Sequence, residues 1–258
     1  MTRHIQTIVL TLLVAVVLPA TGAEQTPWRL AAPGYAWSFP QDLYAHPDYK
    51  TEWWYLTGHL ETPDGDPLAF QLTFFRIGVR PATADSSRSA WRADDVIMAH
   101  AALTDVKRGT HVFSEVIWRA TPLLGGFGAP GDTTLAWCRA PAGTDDRWQL
   151  DYRDGAYHLR VHDQRQDLQF DLVCTPTQPP VFHGDGGFSP KSAKGHSGSL
   201  YFSQTAMTVQ GTVTGDQQTR NVAGQSWLDR EIFTSSLDAG QRGWDWLALQ
   251  LADGRSVM

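Results

Sequence analysis

Apolar and polar residues alternate on both sides of Pro63-Asp64-Gly65-Asp66, a strong turn signal. Before the turn, Glu52, Trp54, Leu56 and Leu60 fall on one face of an extended strand, and Trp53, Tyr55, Thr57 and His59 fall on the other. After it, Leu68, Phe70, Leu72 and Phe74 share a face, and Arg76 ends the run. The pattern predicts a β-hairpin over 50–76. Large residues occupy both faces at the Glu52 end, which a strand with one solvated face does not show. Two readings follow. One is a barrel or sandwich core with a covered outer face. The other is the wall of an aromatic-lined pocket, with Glu52 and Arg76 at its rim.

The same period continues over 147–174. Trp148, Leu150 and Tyr152 alternate before Asp154-Gly155, then Tyr157, Leu159 and Val161, then Leu168, Phe170, Leu172 and Cys174. Further strands are predicted over 96–106, 112–119, 200–204, 207–213, 222–231 and 243–251. Beyond the first 23 residues no stretch carries a 3.6-residue period. The reading is an antiparallel all-β protein. Pro176, Pro179 and Pro180, followed by Gly184-Asp185-Gly186-Gly187, mark a boundary between residues 24–184 and 185–258. Trp53-Trp54-Tyr55 with Asp64-Gly65 is echoed by Trp244-Asp245-Trp246 with Asp253-Gly254. The echo predicts two related β-barrel or sandwich domains. The second copy stops just after its turn begins, so that domain is expected to be truncated.

Composition narrows the partners. The net charge is −6 with no basic block, which argues against nucleic acid. Eleven Trp in a chain without long apolar helices point to barrels, sandwiches or ligand clefts. Arg3, the apolar run 8–18, Pro19 and Thr21-Gly22-Ala23 read as a signal peptide over 1–23. The mature chain is then periplasmic or secreted, without a stable membrane span. Cys138 and Cys174 could form one disulfide or remain buried thiols.

Candidate chemistry is sparse. Trp227, Asp229 and Glu231 share one strand face, and an Asp beside Trp in a dry pocket would have a raised pKa suited to a general acid. The plain alternative is a solvated face carrying two acids. His100, between Met98 and Ala102, reads either as a hydrogen-bonded core histidine or as part of a site. No His or Cys spacing suits zinc. Gly195-His196-Ser197-Gly198 lacks the spacing of a nucleophile elbow, and the glycines at 125–132 lack a phosphate-loop lysine.

Residues 46–76, with Glu52-Trp53-Trp54-Tyr55, resemble the AttH-like branch of the carotenoid 1,2-hydratase (hydroxyneurosporene synthase) family. So do the block 222–231, the run Gly243-Trp244-Asp245-Trp246, and His100 in its 98–103 context. The resemblance covers nearly all the mature chain. It implies two lipocalin-like barrels and a ligand site between or within them. In the hydratases an Asp in the block matching Trp227-Leu228-Asp229 is the proposed acid, adding water to an alkene. This chain keeps the Asp, has Trp227 where Tyr is expected, and places His196 loosely at the upstream histidine. Fungal relatives catalyse cyclisations, and bacterial members are called secreted hydrolases and occur beside export-type transporters. The implied catalytic set is Asp229, Trp227 and His196. The candidate ligand set, drawn from the strand pattern together with the resembling blocks, is Glu52, Trp53, Trp54, Tyr55, Phe74, Arg76, His100, Tyr201, Glu231, Trp244, Asp245 and Trp246. Neither metal nor organic cofactor is expected. The expected partners are a hydrophobic small molecule and an export-type ABC transporter. A non-catalytic periplasmic carrier of an apolar ligand is the alternative function.

Overall fold

The computed structural model describes residues 28–81, 92–141, 144–192, 197–215, 217–234, 237, 240–243 and 245–258. The expected signal peptide lies outside them. Turn chemistry sets the first half. β1 (Thr51–Glu61) and β2 (Pro67–Gly78) pair across the Asp64-Gly65 turn, with Gly65 at φ +83°. β3 (Asp95–Asp105) and β4 (Thr110–Arg119) extend the sheet, and β5 (Gly125–Phe127) and β6 (Thr134–Arg139) follow. β7 (Arg147–Arg153) turns into β8 (Ala156–Asp163) through Asp154 and Gly155, both at positive φ, as a two-residue hairpin loop requires. β9 (Leu168–Pro176) completes the predicted meander.

Two short strands, β10 (Val181–Phe182) and β11 (Phe188–Pro190), precede the long hairpin of β12 (Gly198–Gly215) and β13 (Gln218–Phe233). β12 joins the predicted strands 200–204 and 207–213 into one, with a register shift between Gln204 and Met207. The predicted strand 243–251 shrinks to β14 (Leu249–Gln250), paired with β15 (Ser256–Val257).

The main sheet runs β4-β3-β2-β1-β13-β12-β9-β8-β7-β6-β5, antiparallel throughout, with β10 and β11 beside β12. It curls until β4 returns against β9. Ser114 on β4 donates to Asp163 at the end of β8, and Trp118 Nε1 donates to the Arg139 carbonyl at 2.9 Å. The result is a nearly closed barrel around one core that includes Trp54, Leu56, Phe70, Phe74, Trp148, Phe170 and Leu228. The all-β expectation holds, and the described residues contain no α-helix. The expected division at 184/185 does not separate two sheets. β13 pairs with β1 and β12 with β9, so the segment after Cys174 is a connection inside one barrel.

The lead-in before β1 covers one end of the barrel. A 3₁₀ turn at Gln41–Leu43 buries Leu43 and Tyr44 in the core, and Trp54 Nε1 donates to the Leu43 carbonyl at 2.7 Å. Cys138 and Cys174 are buried free thiols. Burial pushes Cys174 up to about 12 and Cys138 up as well, so neither is a ready nucleophile.

Candidate functional site

Strand alternation sends neighbouring residues of β1 and β13 to opposite sides of the barrel wall. Glu52, Trp54 and Arg230 point inward. Trp53, Tyr55, Asp229 and Glu231 point outward, and each side forms its own polar cluster.

Inside, Glu52 is fully buried and paired twice. Arg230 Nη2 meets its Oε2 in a short contact, and Arg76 Nη1 lies 3.2 Å from Oε1. The His46 backbone N–H donates to Oε1 at 2.8 Å. Arg230 also donates to the Tyr44 carbonyl at 2.7 Å and stacks over the Trp54 ring at 3.9 Å. Arg76 donates to the Tyr49 carbonyl at 2.9 Å and pairs with Asp95 at 3.2 Å. Burial alone would raise the Glu52 pKa. The guanidinium of Arg230, the His46 donor and Arg76 hold it down at about 2. The lead-in and the barrel wall are joined by charge here, and the Glu52 carboxylate is fully engaged.

Outside, registry builds a floor of two cross-strand rows. Phe75, Trp53, Glu231 and Tyr201 form one, and Thr73, Tyr55, Asp229 and Ser203 form the next. These residues, except Ser203, line a cavity of about 230 Å³ with Trp246. The segment carrying Trp246 is held over the sheet by Gln250, whose Nε2 donates to the Thr205 carbonyl at 2.7 Å. Trp246 Nε1 donates to the Tyr201 hydroxyl at 3.3 Å, and its ring meets Tyr55 edge-on.

Asp229 is 2% exposed. Its Oδ1 accepts from the Ser203 hydroxyl in a short bond and from Trp227 Nε1 at 2.8 Å. Its Oδ2 is buried and has no hydrogen-bond partner among the described residues. Burial raises its pKa above the usual carboxylate value, against the opposing donors Ser203 and Trp227, the nearby Tyr201 hydroxyl, which donates to Met258 Sδ, and the charge of Lys191. Glu231 is raised for the same reason, opposed by Lys191 and Ser199. Lys191 Nζ lies 3.2 Å from Glu231 and 4.8 Å from the centre of the Tyr201 ring. A carboxyl that is buried, weakly compensated and beside aromatic faces can donate a proton or hold a ligand oxygen. Among the described residues no group of three or more His, Cys, Asp and Glu could hold a metal ion.

The structure sorts the expected site residues by face. Trp53, Tyr55, Tyr201, Asp229, Glu231 and Trp246 line the cavity, and Trp227 bonds the acid. Glu52, Trp54, Phe74 and Arg76 do not form its rim; they lie inside the barrel. His100 is neither a core histidine nor a cavity residue. It is half-buried on the outer face between the rings of Phe75 and Phe113, at centroid distances of 5.2 and 5.6 Å. Asp245 is exposed and does not line the cavity. His196 and Trp244 lie outside the described residues. Sequence reasoning missed Thr73, Phe75, Ser203, His183 and Lys191. Phe75 was within reach, since it is the opposite-face neighbour of Phe74; the other four carry no local signal.

This fold and site define an all-β, lipocalin-like barrel with an aromatic cavity on the outer wall and a buried acid in its floor. Residues 30–258 match the model of the AttH-like family, and the chain belongs to that family. Among solved structures it is similar to an AttH (NE1406) from Nitrosomonas europaea, with 35% identity and a TM-score of 0.74 over 88% of this chain and 65% of that one. It thus spans about two thirds of that protein's length. A more distant likeness, at 10% identity and a TM-score of 0.51, is to kievitone hydratase from Nectria haematococca, over 82% of this chain and 58% of that one. At that identity the likeness is one of fold. No curated protein matches the chain.

Proposed function

We propose that the protein is an exported, hydratase-type acid catalyst acting on a hydrophobic alkene. The observation that carries the reading is Asp229, a buried acid with a raised pKa and an unpartnered Oδ2, in the floor of an aromatic cavity. Asp229 protonates one alkene carbon, leaving a cation on the other. The faces of Trp53, Tyr55, Phe75 and Trp246 stabilise that cation. Water adds to the cation and its surplus proton returns to Asp229, so the net reaction is alkene plus water. The fold shared with a hydratase is consistent with this chemistry, and the carotenoid class of alkene rests on the sequence resemblance.

The test incubates the full-length protein with a panel of isoprenoid alkenes, and mass spectrometry looks for a gain of one water. Binding of the neutral probe N-phenyl-1-naphthylamine is followed by fluorescence in parallel. The reading expects conversion that Asp229→Asn abolishes while probe binding survives. Probe binding without conversion by the native protein overturns it in favour of an apolar-ligand carrier serving an export-type transporter. Export itself rests on residues 1–23, and N-terminal sequencing of the envelope fraction is expected to begin at Glu24.

A further inference from the structure

Asp229 is oriented by a chain of donors that starts on the connection between β9 and β12. Ser203 gives its single hydroxyl proton to Asp229 Oδ1. Its oxygen must therefore accept from His183 Nε2, 2.7 Å away, which fixes His183 as the tautomer protonated on Nε2. The His183 ring packs on Tyr201 at a centroid distance of 4.2 Å. The order is histidine, serine, carboxylate. In a hydrolytic triad the histidine stands in the middle and activates the serine. Here the serine stands in the middle and is fully buried, so it relays a hydrogen bond and does not act as a nucleophile.

Resting on the reading of Asp229 as the acid, we propose that His183, acting through Ser203, is its positioning residue. It locks the Ser203 proton onto Oδ1. Trp227 Nε1 occupies the same oxygen. With both donors on Oδ1, the proton of the neutral acid resides on Oδ2, the oxygen left to donate it. Without His183 the Ser203 hydroxyl is free to rotate away, and the two oxygens become alike.

The surroundings support this arrangement. The groups that face Asp229 are Tyr55 from β1, Tyr201 from β12, Glu231 from its own strand, and Lys191 and His183 from the connection. Lys191 is the cation among them. Burial and Lys191 push the His183 pKa down to about 4, so His183 is neutral at neutral pH. It orients the acid without adding a second positive charge that would hold Asp229 ionised.

The test is NMR on the full-length protein, reading the histidine ring nitrogens and the Asp carboxyl carbons, with Asp229→Asn for assignment. In the native protein His183 is expected to be neutral with its proton on Nε2. His183→Phe should raise the Asp229 midpoint, because the carboxylate loses an oriented donor. His183→Gln keeps an N–H donor and should restore the native midpoint. Ser203→Ala should raise it at least as far as His183→Phe. A proton on Nδ1 of His183 in the native protein overturns the proposal even if no variant folds. So does a midpoint that Ser203→Ala moves and His183→Phe does not, and the acid reading survives either result. A native Asp229 midpoint in the ordinary carboxylate range overturns the acid reading itself, and the positioning role with it.

Discussion

Glu52 and Asp229 sit on opposite sides of the same barrel wall, both almost without solvent contact, and are shifted in opposite directions. Glu52 faces two guanidiniums and stays a carboxylate down to about pH 2. Asp229 faces neutral donors and a lysine that pairs with its neighbour Glu231, and its proton is held more tightly than usual. Burial opposes the charge on both. Full positive charges at contact distance overcome that cost, and neutral donors do not. One cluster is built to stay charged and tie elements together. The other is built to keep a proton available.

The comparison can be broken at several levels, and the largest expected effect is on stability. Arg230→Met leaves Glu52 in the barrel with a single guanidinium, and should cost about 3–5 kcal/mol in urea or thermal unfolding. Asp229→Asn should change stability by less than about 1 kcal/mol, because no charged partner is stranded. Equal losses would mean that the two clusters play the same role.

The next effect separates adjacent aromatics. Trp54→Ala empties part of the core and removes the platform for Arg230, for a loss of about 3–5 kcal/mol. Trp53→Ala should leave unfolding near native and weaken N-phenyl-1-naphthylamine binding several-fold, since Trp53 lines the cavity. The reverse pattern would place the ligand inside the barrel.

Acid–base behaviour sharpens the contrast. The lowered pKa of Glu52 contributes stability that is present above its unfolded value of 4.5 and lost as pH falls toward about 2. Asp229 and Glu231 have raised values, so their contribution has the opposite sign. It is present at acid pH and lost as pH rises from the unfolded value through the folded one. Thermal midpoints against pH should show both slopes. The double variant Asp229→Asn, Glu231→Gln should flatten only the second; if it flattens neither, the two acids titrate normally.

The smallest effect belongs to Lys191. Lys191→Met should raise the midpoints of Glu231 and Asp229 further, since its charge lowers both. Unfolding measured at acid pH, where Glu231 is protonated, should move little, because no buried charge is stranded there. Carboxyl titration by NMR checks it, and a downward shift would contradict the assigned role.

Much of the fold was legible because a strand's two-residue period is visible locally. Alternation put Glu52 with Trp54 and Trp53 with Tyr55, and the Asp-Gly turns located the hairpins. Pairing between distant strands leaves no such trace. Nothing near residue 225 says that β13 will lie against β1, so the proline- and glycine-rich connection read as a domain boundary. The same blindness governed the site. Asp229 was visible beside Trp227, but Ser203, His183 and Lys191 reach it only through the β12–β13 hairpin and the connection before it. Glu52 and Arg76 were assigned to the pocket because acid, base and aromatics stand together in sequence. The structure gives each face of that hairpin a separate purpose.

The alternation of Asp229, Arg230 and Glu231 also acts as a check on assembly. β13 must find β1 across more than 150 residues of chain, with Trp54 opposite Arg230. A slip of one position would turn two acids into the barrel beside Glu52 and expel the guanidinium that neutralises it. A slip of two would carry Arg230 off the Trp54 ring and away from its carboxylate. Gly224 narrows the choice further, because a side-chain carbon there would lie 1.9 Å from the His59 carbonyl oxygen. Misaligned barrels are thus rejected by charge and by shape at once, and the pairing that survives is the one that also delivers Asp229 to the cavity.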